Sequence, residues 1–92
     1  MAKRLVLDAK LDTSGANELR SELVAAHGED LIIDASQVEF LGALCTELLL
    51  SARHLWQQQK TRLTIENASN ALIDNLERMG LSLDDIATGE PA

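Results

Sequence analysis

From Lys3 to Leu11, apolar residues fall at every second position: Leu5, Leu7, Ala9 and Leu11. That is the period of a strand with one covered face. The period then lengthens. Ala16, Leu19, Leu23 and Ala26 share one face of a helix, with Thr13 and Ser14 as candidate N-caps and Gly28 as its stop. The run "LIIDA" (31–35) is short and continuously apolar, as in a strand covered on both faces. A long helix is expected from about Ala43 to Gln59, and a further strand in "RLTIEN" (62–67). Ser69 then caps a last helix, with Leu72, Ile73, Leu76 and Met79 inward and Gly80 closing it. Strands and helices alternate, so the expectation is an α/β fold. It would hold a mostly parallel or mixed sheet of about four strands with helices packed on it, "LIIDA" being central. One domain over residues 1–87 is expected, with "LDD" (83–85) as a solvated turn and residues 88–92 as a flexible tail.

Composition narrows the function. The 92 residues allow one modest core, and 46% hydrophobic content is normal for a globular chain. There is no apolar run long enough to span a membrane, and the N-terminus turns polar too soon for a signal peptide. A cytoplasmic protein without membrane insertion is therefore expected. Lys and Arg number 8 against 15 Asp and Glu, a net charge of −7, which argues against nucleic acid as a partner. Phe40 and Trp56 are too few aromatics for a base-stacking platform and fit a core or its rim. Cys45 is alone, so neither a disulfide framework nor a cysteine metal cluster is expected.

Catalytic constellations are missing from the pattern. His27 and His54 fall in different helices and read as solvated surface residues. Asp8, Asp12 and Asp34 lie near strand ends, but nothing pairs them with a base, a nucleophile or a metal spacing. No glycine-rich phosphate loop follows a strand. The expectation is a protein without catalytic residues, metal or cofactor.

Three segments carry a family resemblance. They are "LDTSGANELRSEL" (11–23), "LIIDASQVEFLG" (31–42) and "LIDNLERMGL" (72–81). In this order and spacing they resemble the STAS domain, the module of bacterial anti-sigma-factor antagonists and of sulfate-transporter tails. The resemblance runs from about Leu5 to Ile86. It implies a non-enzymatic module that works by binding another signalling protein: a histidine kinase, a response regulator or an anti-sigma kinase. The setting would be a partner-switching or chemotaxis-type phosphorelay. The alternative it implies is a small cytoplasmic subunit of an ATP-driven lipid transporter.

The resemblance also marks a departure. Antagonists of this family usually read Asp-Ser-Ser-Gly or Asp-Thr-Ser-Gly at the start of the second main helix, and a Ser there takes a phosphate that releases the partner. Here the four positions are Gly42, Ala43, Leu44 and Cys45, so the phosphoacceptor position holds Leu44. Thr46 and Ser36 are weak substitutes. Ser36 is expected to bond the backbone in the strand-exit turn, and Thr46 to be plainly exposed.

At 100° per residue, Leu41, Leu44, Cys45, Leu48, Ala52, Leu55 and Trp56 fall in one stripe of this helix, the expected buried side, with Leu49 at its edge. The opposite side carries Leu50 among Ala43, Thr46, Arg53, His54 and Gln57. An apolar anchor within a polar rim suits an interface. Gly42, Ala43, Thr46, Leu50, Arg53 and His54 are therefore the candidate partner-binding residues.

Overall fold

The computed structural model describes residues 3–88. Three parallel strands, β1 (Lys3–Val6), β3 (Leu31–Asp34) and β5 (Leu63–Glu66), form one sheet in the order β1-β3-β5. A second, very short parallel pair joins β2 (Lys10–Leu11) to β4 (Phe40–Leu41). The helices are α1 (Thr13–Ala25), α2 (Ala43–Gln59) and α3 (Asn70–Arg78), followed by a single 3₁₀ turn at Leu83–Asp85. The α/β architecture expected from the alternation is what the chain adopts.

β3 is central. Lys3 and Leu63 both register against Leu31, and Val6 and Glu66 both register against Asp34. The sheet is covered on one face only. Leu5, Leu31, Ile33 and Leu63 point one way and are buried, whereas Arg4, Val6, Ile32, Asp34 and Glu66 point the other way and are exposed or half-buried. This corrects the expectation that "LIIDA" is covered on both faces. The reason is topological. The crossovers from β1 to β3 and from β3 to β5 run in the same direction, and right-handed crossovers of that kind place α1 and α2 on the same face. The two helices pack against each other there. The open face mixes exposed Val6 and half-buried Ile32 with charged groups, and Arg4 bridges Glu66 at 2.9 Å and Asp34 at 3.5 Å across it.

A native hydrogen-exchange experiment should find the amides of Leu31–Asp34 among the slowest in the chain, because β3 alone has strand neighbours on both sides. Fast exchange at those amides would contradict the central placement.

Local differences from the sequence expectation have physical causes. The first alternating segment is two strands, broken at Leu7–Ala9 where the chain leaves β3 for β4. The cap of α1 is Asp12, one residue ahead of the expected Thr13. Its carboxylate accepts from the Gly15 amide at 3.2 Å and the Ser14 hydroxyl at 2.8 Å. These bonds hold the Asp12 carboxyl below its ordinary pKa, the Ser14 hydroxyl first among them. Ser69 caps α3 as expected, accepting from the Leu72 amide at 3.0 Å. Met79, expected inward, is 39% exposed, because α3 ends at Arg78 and Met79 is already its C-cap. The "LDD" segment is the 3₁₀ turn and not a plain loop: the Asp85 carboxylate accepts from the Ser82 amide at 2.8 Å, closing a capping box.

The C-terminal segment is part of the fold. Ile86 is fully buried, and the Thr88 amide donates to the Leu63 carbonyl at 2.9 Å. Thr88, assigned to the tail on sequence grounds, is thus tied to β5. The rest of the expected tail, residues 89–92, lies outside the described residues.

Candidate functional site

The junction between β4 and α2 is where the resemblance places chemistry, and its geometry explains the missing cap. Gly42 is the N-cap of α2, with no side-chain bond to the helix start. Its amide donates to the Leu11 carbonyl at 2.9 Å, which stitches the helix entry to β2. A β-carbon at this position would lie 3.2 Å from the Leu11 carbonyl oxygen and 3.2 Å from Phe40 Cε2. A Ser or Asp cap would have to displace one of them. Close approach therefore accounts for the glycine, since its φ of −86° is open to any residue.

Near Gly42 two large apolar side chains are exposed, with the charged Glu39 and Glu47 beside them in the sequence. Phe40 is 46% exposed and Leu44 is 44% exposed, with exposed Ala43 between them along the chain. Leu44 is thus an outward-facing aliphatic side chain in the first turn of α2. Phe40, expected in the core or at its rim, is on the surface, whereas Trp56 is buried with its indole N–H donating to the Glu29 carbonyl at 2.8 Å.

Thr46 is a correction. It was expected on the exposed rim, yet it is 3% exposed. Its hydroxyl donates to the Gly42 carbonyl at 2.8 Å, the back-bond that lets a buried Thr satisfy its polar group within a helix. Cys45, one residue earlier, is fully buried, and its thiol faces the Asp12 carbonyl at 3.6 Å. Burial raises the pKa of this thiol, with the Asp12 charge adding to the effect. Ser36 is exposed, and its amide donates to the Asp34 carboxylate at 3.0 Å. This bond and the nearby Arg4 hold the Asp34 carboxyl below its ordinary pKa, the Ser36 amide having the larger effect.

The buried stripe of α2 is Cys45, Thr46, Leu49, Ala52 and Trp56. It is turned by roughly 60° from the expected one, at 100° per residue. Leu44 is exposed, and Leu48 and Leu55 are half-buried. On the other flank Leu50 is half-buried and packs on the core, where free exposure was expected. The cause is the C-terminal segment. Arg53 Nε donates to the Ala87 carbonyl at 2.8 Å, so residues 86–88 are anchored to the flank expected to be free. Ala43 and His54 are exposed, while Arg53 is held in this contact. Of the candidate binding residues, Gly42 and Ala43 stand together at the junction, and Leu50, Arg53 and His54 lie further along α2. Sequence reasoning missed Phe40 and Leu44 as surface residues. Their apolar character pointed to burial, and only the register of β4 with β2 turns Phe40 outward.

Among the described residues no group of three His, Cys, Asp or Glu side chains stands close enough to hold a metal ion. None of the helices described is long and apolar enough to cross a membrane.

No curated protein matches the chain, and no solved structure does. A family model described as "Mlab, STAS domain" matches residues 2–85, nearly the whole sequence. The parallel sheet is consistent with this match, and the chain belongs to the STAS-domain family.

Proposed function

We propose that this STAS domain is a non-enzymatic, cytoplasmic regulatory module that docks on another signalling protein through the β4–α2 junction. The partner class is a histidine kinase, a response regulator or an anti-sigma kinase, in a bacterial partner-switching or chemotaxis-type phosphorelay. The observation that carries this reading is the exposed pair Phe40 and Leu44 flanking Gly42. Large apolar side chains grouped on a surface favour a protein interface over a solvated face. The small residues Gly42 and Ala43 lie between Phe40 and Leu44 in the chain, and exposed His54 lies further along α2.

The module works without a phosphate switch of its own. Residues 42–45 contain no hydroxyl, and the Thr46 hydroxyl is buried in its bond to Gly42. Control then resides in the partner's phosphorylation state. Intact-mass and peptide mass spectrometry on protein from growing cells should find no stoichiometric phosphate at Thr46 or Ser36. Phosphate at either residue would mean that the switch has moved and has not been lost.

A second reading is a small cytoplasmic subunit of an ATP-driven lipid transporter. It is favoured by the description of the matching family model, which names Mlab and not a sigma-factor antagonist. Affinity purification of the tagged protein from its own cells, then reconstitution with the purified partner, separates the two. A kinase or response regulator supports the first reading, and a transport ATPase the second. A protein that reconstitutes with neither would remove both.

A further inference from the structure

α1 and α2 lie side by side, and the groove between them has a volume of about 330 Å³. One side is lined by Arg20, Leu23 and Val24 of α1 and by His27 in the turn after that helix, and the other by Leu48, Ser51, Ala52, Leu55 and Trp56 of α2. The α2 residues follow i, i+3, i+4, i+7 spacing, the ridge that one helix presents to another. The walls are mostly apolar, and Val24, in the last turn of α1, is 68% exposed. Its α2 wall begins at Leu48, one turn beyond Leu44, and neither Phe40 nor Leu44 lines it.

The charge around the groove identifies what fits it. The chain carries 15 acidic residues, yet none of them lines this groove. Arg20 has no ion pair among the described residues. His27 contacts only the Gln59 amide through Nε2, among the hydrogen bonds of the described residues. Arg20 lies on α1 and His27 in the turn beyond its C-terminus, with Leu23 and Val24 between them in the sequence. A helix laid along the groove would meet its walls with apolar residues at i+3 and i+4 and offer carboxylates to Arg20 and His27.

We infer that the α1–α2 groove is a second docking site, which accepts an acidic amphipathic helix of a partner protein. Apolar side chains of that helix fill the space over Leu23, Val24, Leu48 and Trp56. Its carboxylates pair with Arg20 and accept from His27. This is the helix-in-groove mode of recognition, with register set by the flanking charge.

The sole tryptophan of the chain, Trp56, lies in the groove wall and reports occupancy. The probe is a blocked helical peptide, roughly three heptads long, with glutamate at the first and leucine at the fourth and fifth positions of each heptad. Alanine and glutamine fill the remaining positions. The control peptide has lysine for each glutamate. In fluorescence titration at low salt, the glutamate peptide should shift Trp56 emission saturably and bind at least about tenfold more tightly than the lysine peptide. Val24→Asp should abolish binding, and Arg20→Glu should erase the preference for glutamate. Both residues are exposed, and a circular dichroism melt checks that the variants fold. If Val24→Asp fails to fold, Arg20→Glu carries the test. Phe40→Asp, at the other face, should leave peptide binding unchanged, so failure here is distinguishable from failure of the junction reading. Equal affinity for the two peptides, or no binding of either, would overturn the inference. So would a self-association in sedimentation that Val24→Asp removes, since the groove would then be covered by a second copy of the chain.

Discussion

Leu49→Ala is expected to lower the unfolding free energy by about 2–5 kcal/mol, the range for large-to-small changes at fully buried sites. Leu49 is 0% exposed at the centre of the buried stripe of α2. Leu48→Ala should cost less than half as much. That side chain is half-buried and lines the groove, so part of its surface is already in water and the space left behind opens outward. Urea titration of both variants, with unchanged slopes, is the measurement. Equal losses would show that the helix is rotated from the phase described, and a larger loss at Leu48 would restore the stripe expected from periodicity alone.

The second large effect is on binding. Phe40→Asp and Leu44→Asp should each weaken association with the partner by about 2 kcal/mol or more, or roughly thirtyfold, as central apolar anchors do. A carboxylate in the interface adds a desolvation cost to the lost packing. Neither change should cost more than about 1 kcal/mol of stability, because both side chains are nearly half exposed in the free protein. Leu50→Asp is expected to behave differently. Leu50 packs on the core, so a carboxylate there should destabilise the fold itself. Calorimetric titration against the reconstituted partner, with a thermal melt of each variant, reads both quantities. Unchanged affinity for Phe40→Asp and Leu44→Asp would leave the junction as ordinary surface.

The contrast between Leu44, Leu48, Leu49 and Leu50 shows what was legible in the sequence. The existence and limits of α2 were, because Gly42 precedes a long apolar helix former and the pattern ends near Lys60. The phase was not. With leucine at 44, 48, 49, 50 and 55, α2 is apolar around much of its circumference, and a periodicity argument has little to choose between neighbouring faces. The choice is made by what covers the helix: α1 on one flank and the 86–88 segment on the other. The second cover was invisible because "ATGEPA" has the composition of a fraying end, while its anchoring rests on the Ala87 carbonyl, which accepts from Arg53, and the Thr88 amide, which donates to Leu63. β3 was read correctly as central but wrongly as covered twice. A half-buried Ile32 and a fully buried Ile33 look alike in a sequence. At the junction, the departure at 42–45 could be read residue by residue. That Thr46 turns inward could not, because a hydroxyl that back-bonds its own helix has the same composition as one facing water.

The sheet has a consequence for how the chain acquires its structure. Each of the three strands pairs in parallel with a neighbour that the chain reaches only after making a whole helix. No strand can form a hairpin with the next. Loops must close before pairing repays them, which slows folding relative to a helical bundle of the same size. Both β1 and β5 need β3 as their neighbour, so β3 is the step at which the sheet becomes possible.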